Sequence, residues 1–255
     1  MFFTNEGRVY SLKAYEIPEE RRQAKGTAII NLLNLNGNEK ISAVIPLKEY
    51  DPESILVFIT KNGIVKKTKL EYFKNIRKTG IIAITLREND ELISVRKTHG
   101  SKELIVATVK GKSIRFSEKD VREMGRTAAG VKAISLDDDD NVIAMDLIED
   151  GKDLLVISEK GYGKRTPLDE YRLQNRGGKG IITYQIKDKT GPLVSAKVVD
   201  AIDEIMLISL KGVIIRLNVE GISEMGRSTQ GVTLMKIEDD DKVVAVAKYV
   251  EEVEE

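Results

Sequence analysis

The residues in this chain that can do chemistry are cations rather than nucleophiles. The 255 residues include no cysteine and one histidine, His99, so thiolate nucleophiles, disulfides, thiolate zinc sites and multi-histidine metal centres are excluded. No nucleophile, base and oxyanion donor can be combined from what remains, so we expect no catalytic residue, no metal and no cofactor. The 41 lysines and arginines therefore stand out, and their chemistry is the binding of anions.

The cations are concentrated in five segments that each begin and end at a glycine. These segments hold 23 basic and 11 acidic residues, whereas the rest of the chain holds 18 basic and 30 acidic residues. The net charge of +0 therefore conceals a segregation of signs. A repeated cationic surface suits a polyanion with its own repeat, and the backbone of duplex DNA is the obvious one. The segments are residues 7–26, 63–80, 111–130, 161–180 and 212–231.

Many of these cations recur at the same position of successive segments, and we expect them to form a stripe along the edge of the fold. One series lies four residues after the first glycine and comprises Lys67, Arg115, Arg165 and Arg216. A second series lies four residues before the second glycine and comprises Arg22, Arg126, Arg176 and Arg227. The expected DNA-contacting set also includes Arg8, Lys66, Arg77, Lys78, Lys112, Lys164 and Lys179. The alternative is that these residues only solvate the outer strand of each unit and protect its edge from aggregation.

An internal repeat of about 50 residues positions the basic segments. The two glycines of each segment lie 17 or 19 residues apart, and the residues 123–131 recur in similar form at 224–232. Five units account for almost the whole chain, and the last five residues, 251–255, form an acidic tail. The units are approximately residues 1–53, 54–102, 103–152, 153–203 and 204–250.

Each unit has the pattern of four short β-strands. A short apolar run, a glycine turn and a second run such as Ile64–Thr68 indicate a hairpin, and the strands Ile81–Leu86 and Leu92–Val95 follow it. No segment is long enough for the crossover helices of a parallel sheet. The sequence therefore predicts an all-β, propeller-like fold of about five four-stranded blades within a single domain.

One short motif resembles a known sequence. Residues 174–180 are similar to the box of the DNA gyrase A subunit, which has a glutamine, two basic residues, two glycines, a lysine and a glycine. The stretches 7–11, 161–166 and 226–232 also resemble the C-terminal domain of that protein, and the resemblance covers essentially all 255 residues. The residues of the box-like loop are Gln174, Asn175, Arg176, Gly177, Gly178, Lys179 and Gly180.

The resemblance implies a β-pinwheel, in which neighbouring blades exchange strands. It also implies a non-catalytic domain that binds, bends and wraps duplex DNA and so assists negative supercoiling by an ATP-dependent type IIA topoisomerase. The implied partners are duplex DNA and the remainder of a gyrase-like enzyme, namely its A-subunit cleavage domain and its ATPase subunit. The implied location is the bacterial cytoplasm, in association with the nucleoid.

The chain departs from the family pattern in two ways. The box-like loop lies in the fourth unit rather than in the first blade, and Asn175 replaces the second basic residue. Met1 begins at what resembles the second blade of the family, so we expect that a box-bearing first blade is missing and that the intact parent has six blades. These departures leave open a topoisomerase IV-type A subunit, whose C-terminal domain binds DNA without full wrapping.

The residues of the box-like loop suit contact with phosphates rather than with bases. Gly177 and Gly178 are expected to take positive φ and to let the backbone approach closely, while Arg176 and Lys179 present cations. Backbone N–H groups in such a loop also meet phosphate oxygens. We therefore expect positional contacts that do not depend on DNA sequence.

Other functions find weaker support in the sequence. A protein-interaction propeller stays open, although five units without tryptophan and with a single Gly-Gly pair fit kelch repeats poorly. A propeller enzyme lacks the catalytic residue types. The acidic runs 137–140 and 239–241 lack the ligand spacing of a calcium loop and are expected to be solvated hairpin tips. The apolar runs are too short to span a bilayer, and the first residues do not resemble a signal peptide.

Overall fold

The computed structural model describes residues 1–21, 23–148 and 152–249. Arg22 and the acidic tail therefore lie outside the described residues. Strands dominate the described part of the chain, and the helical segments there are one four-residue α-helix and five 3-10 turns. No helix among the described residues is long and apolar enough to cross a membrane. The all-β class predicted from the sequence is confirmed.

The elements are short, and in the second to fifth repeats they follow one another in the same order, whereas the first repeat has the helix in place of the third strand. The strands are β1 (Phe2–Thr4), β2 (Arg8–Tyr10), β3 (Ile41–Val44), β4 (Ile55–Thr60), β5 (Ile64–Lys69), β6 (Ile81–Ile82), β7 (Leu92–Thr98), β8 (Glu103–Thr108), β9 (Lys112–Ser117), β10 (Val131–Lys132), β11 (Val142–Ile148), β12 (Asp153–Ser158), β13 (Tyr162–Pro167), β14 (Ile181–Ile182), β15 (Leu193–Val199), β16 (Glu204–Ser209), β17 (Ile214–Asn218), β18 (Val232–Thr233) and β19 (Val243–Tyr249). The helix is α1 (Ile29–Leu32), and the 3-10 turns are Ala14–Glu16, Leu70–Phe73, Glu118–Asp120, Leu168–Glu170 and Val219–Gly221.

The chain forms two compact units, and each is built from antiparallel sheets. The first unit comprises residues 1–101 and 121–132 and contains sheets with the strand orders β3-β1-β2-β6 and β10-β5-β4-β7. The second unit comprises residues 102–120 and 133–255. Its sheets have the orders β11-β8-β9-β14, β15-β12-β13-β18 and β17-β16-β19. Four sheets thus have the four strands expected of a blade, and the fifth has three strands among the described residues.

In each four-stranded sheet, one edge strand comes from the following repeat. In the first sheet β6 pairs with β2, with Ile82 opposite Arg8, and in the fourth sheet β18 pairs with β13 in the same way. This exchange of strands confirms what the resemblance implied. The strand expected over residues 81–86 is shorter than predicted, because only Ile81 and Ile82 pair with the neighbouring sheet before the chain turns into the core.

The first glycine of a repeat marks the place where the next repeat crosses the hairpin. Gly161 has φ +76°, and its carbonyl accepts hydrogen bonds from the backbone N–H groups of Leu234 (2.8 Å) and Met235 (3.1 Å). A Cβ atom built on Gly161 would lie 2.1 Å from the carbonyl oxygen of Met235. The position therefore requires glycine both for its backbone conformation and for the close approach of the next repeat.

The inner strands are buried on both faces, which explains their unbroken apolar runs. In the second unit, Leu154 and Val156 of β12 pack into one hydrophobic cluster, while Leu155 and Ile157 pack into another. Successive side chains of a strand point to opposite faces, so a sheet covered on both sides needs apolar residues at every position. In the first unit the core is built around Phe3, Phe58 and Phe73, with ring centroids 5.7 to 6.4 Å apart.

Candidate nucleic-acid interface

The first series of phased cations lies on the second strand of each hairpin, where two of its arginines hold the next repeat. Arg115 donates from Nε to Glu103 Oε2 at 2.5 Å and from Nη1 to the carbonyl oxygens of Leu168 and Tyr171, at 2.8 and 3.2 Å. The backbone of Arg115 also bridges to Leu173. One guanidinium thus ties a carboxylate of its own sheet to the 3-10 turn of the following repeat.

Arg165 repeats this arrangement in the next sheet. Its Nη1 lies 2.7 Å from Asp153 Oδ2, and its Nε donates to the carbonyl oxygen of Ile222 at 2.8 Å. The side chain is only 17% exposed, and that of Asp153 is 6% exposed. A half-buried guanidinium with these partners stabilises the packing of one repeat on the next. We call Arg115 and Arg165 with their carboxylates the latch pairs.

The other two members of the series differ from the latch pairs. Lys67 is buried, at 6% exposure, and its carbonyl oxygen accepts a hydrogen bond from the backbone N–H of Met124 at 2.8 Å. Arg216 is about half exposed, pairs with Glu204 and lies over the ring of Tyr249, with its Cζ 4.0 Å from the ring centroid. For Arg115, Arg165 and Lys67 the common phase therefore reflects packing between repeats, and Lys67 is not available as the surface contact that we expected.

Two further lysines of the expected set are also buried, which corrects their assignment as DNA contacts. Lys66 and Lys164 are each 0% exposed. The Nζ of Lys66 donates to backbone carbonyl oxygens of Ala83 and Arg126, and the Nζ of Lys164 donates to those of Gly226 and Arg227. Burial lowers the pKa of Lys66 to about 7 and that of Lys164 to about 8. A side chain that ends inside the protein cannot reach a phosphate, so both lysines leave the proposed set.

The second series lies on loops, where its side chains are partly exposed. Arg126 donates from Nη1 to the carbonyl oxygen of Ile82 at 2.9 Å, and Arg227 does the same to that of Ile182 at 3.1 Å. Arg176 donates from Nε to the carbonyl oxygen of Asp120 at 3.2 Å. Each of these three hydrogen bonds orients a guanidinium group, and each acceptor is a neutral carbonyl. Arg22 lies outside the described residues.

A carboxylate lies near Arg227, one member of this series. Arg227 Nε lies 3.9 Å from Glu170 Oε2, and the Glu170 side chain is 41% exposed. The same carboxylate oxygen accepts a hydrogen bond from the backbone N–H of Arg227 at 3.0 Å. At this distance the ion pair is weak, and the Arg227 side chain stays 33% exposed, so part of its guanidinium can still contact an anion.

The remaining expected cations fall into two groups. The members of the first group, Arg8 and Lys112, make polar contacts within the protein. Arg8 is partly buried and donates from Nη2 to the carbonyl oxygen of Thr79 at 2.6 Å. Lys112 forms an ion pair with Asp137 at 2.5 Å and lowers the pKa of that carboxyl. The side chains of the second group are exposed and make no ion pair or hydrogen bond with any residue that the structure describes. This second group comprises Arg77, Lys78 and Lys179.

The backbone of the box-like loop is hydrogen-bonded to the segment 133–135 of the preceding repeat. The N–H of Gly177 donates to the carbonyl oxygen of Ala133 at 2.7 Å, while Ser135 donates its hydroxyl to the carbonyl oxygen of Gly177 and its N–H to that of Gly178. Gly177 has φ +85°, as expected, whereas Gly178 does not have the positive φ that we expected. Gly180 has φ +70° and lies against the carbonyl oxygen of Ser113.

A cavity of about 580 Å³ lies beside this loop, lined in part by Gln174, Asn175 and Gly178. Arg172 and Asp120 contribute to the same wall. The Nε2 atom of Gln174 is buried and has no hydrogen-bond partner among the described residues. The loop thus combines exposed cations with a concave surface, which suits a phosphate backbone.

The sequence analysis missed the acidic partners of the three arginines of the first series, although their spacing was a signal. Glu103, Asp153 and Glu204 each precede their arginine by 12 residues. In the second repeat the same position is Ile55, and there the cation is the buried Lys67. An acidic residue 12 positions before a phased arginine therefore indicates an ion pair within the sheet, which is largely buried for Arg165 and exposed for Arg216.

A known protein family matches the chain in five ranges that correspond to its five repeats. The family model described as "DNA gyrase C-terminal domain, beta-propeller" matches residues 1–48, 54–99, 102–149, 152–200 and 203–248. Over 248 residues the chain is 56% identical to the DNA gyrase A subunit of Clostridium acetobutylicum and 61% identical to that of Halalkalibacterium halodurans. These alignments cover 97% of this chain and 30% of each relative. The chain thus spans less than a third of the length of these relatives.

Two solved structures are similar to the whole chain. A C-terminal domain of DNA topoisomerase IV has a TM-score of 0.88 and 28% identity, and the match covers 97% of this chain and 77% of that one. A DNA gyrase A C-terminal domain has a TM-score of 0.86 and 28% identity, and the match covers 98% of this chain and 81% of that one. The repeats, their exchanged strands and these matches lead to one conclusion: the chain belongs to the family of DNA gyrase C-terminal domains.

Proposed function

We propose that this chain is a non-catalytic domain that binds duplex DNA through the phosphate backbone and bends it. The observation that carries the proposal is the placement of Arg126, Arg176 and Arg227 at one position of three loops, where each side chain is partly exposed and is oriented by a backbone carbonyl. The exposed Lys179 adds a second cation to the loop of Arg176. Family membership supports the same function.

Fewer residues are proposed to contact DNA than were expected from the sequence. Lys66, Lys67 and Lys164 are buried, and Arg115 and Arg165 form latch pairs, so these five act inside the protein. The proposed DNA-contacting residues are Arg8, Arg22, Arg77, Lys78, Lys112, Arg126, Arg176, Lys179, Arg216 and Arg227, with the box-like loop at 174–180.

The parent enzyme that we infer is an ATP-dependent, gyrase-like topoisomerase. In it the five repeats would form a single domain that assists negative supercoiling, beside the A-subunit cleavage domain and a separate ATPase subunit. We place this enzyme in the bacterial cytoplasm, associated with the nucleoid. Cations that contact phosphates carry no sequence information, so the domain's contribution is to position and curve the DNA.

A topoisomerase IV-type parent is the second candidate. The similarity to a topoisomerase IV C-terminal domain, with a TM-score of 0.88, supports it. The two candidates differ in how far the DNA is wrapped, whereas both require binding to duplex DNA.

A gel shift with linear duplex DNA and a salt titration tests the proposal. If about six phosphates are neutralised, the affinity should fall roughly a thousandfold between about 50 and 200 mM salt. Duplexes of different sequence should bind with similar affinity. No binding at about 50 mM salt, or an affinity that does not change with salt, would contradict the proposal and favour a protein-interaction domain.

A further inference from the structure

Two lysines at the same repeat position lie buried beneath loops that carry proposed DNA contacts. Lys66 and Lys164 are each the third residue after the first glycine of their repeat, and both are 0% exposed. They belong to β5 and β13, the strands that receive the exchanged strand of the next repeat. Burying a lysine is unfavourable unless its nitrogen finds partners, so these two positions call for a specific reason.

Each nitrogen is hydrogen-bonded to the backbone of the loop above it, Lys164 through two carbonyl groups and Lys66 through one. The Nζ of Lys164 donates to the carbonyl oxygen of Arg227 at 2.6 Å and to that of Gly226. The Nζ of Lys66 donates to the carbonyl oxygen of Ala83 at 2.6 Å and to that of Arg126. In both places one acceptor belongs to the phased arginine itself. The lysine therefore fixes the main chain from which that guanidinium extends.

The third repeat shows that the blade itself does not need this lysine. Ile114 stands at the equivalent position, 3.5 Å from where a Cβ atom on Gly178 would lie. The carbonyl oxygens of Gly177 and Gly178 there accept hydrogen bonds from Ser135 instead. The lysine thus accompanies the loop sequence Glu-Met-Gly-Arg, which occurs at 123–126 and 224–227, and not the fold of the sheet.

We propose that Lys66 and Lys164 are positioning residues for DNA binding, each of which pins a loop so that Arg126 or Arg227 faces the phosphate backbone. This inference rests on the proposed function for its DNA-binding part. The loop-pinning part is independent of it, because the two carbonyl contacts of each lysine are made within the protein.

The pinned state has a pH signature that follows from burial. Desolvation lowers the pKa of Lys66 to about 7 and that of Lys164 to about 8, with Arg126 acting on the first and Glu170 and Arg227 on the second. When a loop opens, its lysine returns to water and to the ordinary pKa of about 10.4. The closed state therefore binds fewer protons than the open state, and opening becomes less favourable as the pH rises above the pKa of the closed state.

Hydrogen exchange of the unmodified domain tests the pinning without any substitution. Protection factors, corrected for intrinsic exchange, should be flat below pH about 7 for both loops. The loop 123–130 should gain protection above pH about 7 and the loop 224–231 only above pH about 8, by up to about tenfold per pH unit. In Lys164→Met, the loop 224–231 should lose protection and its pH dependence, while the loop 123–130 should keep both.

A double-substitution cycle tests the link to DNA, with binding measured by anisotropy on a labelled duplex. At about 0.1 M salt, the loss of one phosphate contact should weaken binding about eightfold by counterion release. We expect this loss for Arg227→Ala, for Lys164→Met and for the two combined, because both substitutions disable the same contact. Lys160→Met removes an exposed cation of the same chain segment and should change the affinity less than twofold.

Each outcome decides one part of the inference. The positioning role would be overturned if the losses of DNA affinity multiplied to about sixtyfold in the double variant. It would also be overturned if Lys164→Met bound DNA as well as Lys160→Met does. Loop protection that does not change with pH in the unmodified domain would overturn the pinning even if the variants fail to fold. Absence of DNA binding by the unmodified domain, with the pH signature present, would instead overturn the proposed function and leave the pinning established.

Discussion

Replacing Gly161 by alanine should separate the two reasons for glycine at the hairpin turn. Gly212 occupies the same position in the fifth repeat and has φ +83°, close to the +76° of Gly161. A Cβ atom on Gly212 would meet no heavy atom of the described residues within 4 Å, whereas one on Gly161 would lie 2.1 Å from the carbonyl oxygen of Met235. Gly212→Ala is therefore a matched control that shares the backbone penalty and lacks the clash.

The expected magnitudes follow from these contacts. An alanine at positive φ costs about 1–2 kcal/mol in either variant. At Gly161 the segment 234–235 must also move, which endangers two backbone hydrogen bonds worth about 0.5–1.5 kcal/mol each and the buried side chain of Met235. We expect Gly161→Ala to lower the free energy of unfolding by about 3–5 kcal/mol and Gly212→Ala by about 1–2 kcal/mol.

Thermal unfolding followed by differential scanning fluorimetry provides the assay. A difference of about 2 kcal/mol between the two variants corresponds to about 4–8 °C in Tm for a chain of this size. Equal losses of Tm in Gly161→Ala and Gly212→Ala would refute the reasoning, because the crossing of the next repeat over the hairpin would then contribute nothing.

Two further substitutions test the division between surface contacts and internal cations. Replacing Arg176 and Lys179 by alanine should weaken DNA binding and lower the salt slope by about two units. Replacing Lys187 and Lys189 by alanine removes the same charge and should have little effect on binding. Equal effects of the two double variants in a gel shift would contradict the assignment of Arg176 and Lys179 as DNA contacts. Arg165→Gln should lower the free energy of unfolding by about 3 kcal/mol, since it leaves a buried carboxylate without its partner, while the salt slope of DNA binding stays unchanged. A lower salt slope in that variant, measured after normalising for the folded fraction, would mean that Arg165 contacts DNA.

The repeat made most of the fold predictable. The regular spacing of the glycines reflects steric requirements at positions such as Gly161. An apolar run such as Leu154–Ile157 indicates a strand that is buried on both faces. Strand length was less predictable, because residues 83–86 have the composition of a strand but leave the sheet, and Ala83 and Ile84 pack into the core. Only the pairing of Ile81 and Ile82 with the preceding sheet determines where that strand ends.

The candidate site was predicted less well, because the position of a cation within the repeat does not by itself show whether the side chain lies at the surface or inside the protein. Lys66 and Lys67 are adjacent in β5, so their side chains point to opposite faces of the sheet, and both faces are covered. Arg165 has the phase expected of a surface stripe but pairs with Asp153. The loop cations Arg126 and Arg227 could be predicted because a loop before a glycine turn lies at the surface. The continuous stripe itself stays a prediction.

Ring closure of short duplex DNA tests the central claim, binding that bends the double helix, most directly. A fragment of about 130 base pairs is close to the persistence length of about 150 base pairs, so ligase closes it slowly unless a protein curves it. The domain should accelerate closure at about 50 mM salt, and the acceleration should disappear when Arg126, Arg176 and Arg227 are replaced together by glutamine. A closure rate that the unmodified domain leaves unchanged at saturating concentration would contradict the account.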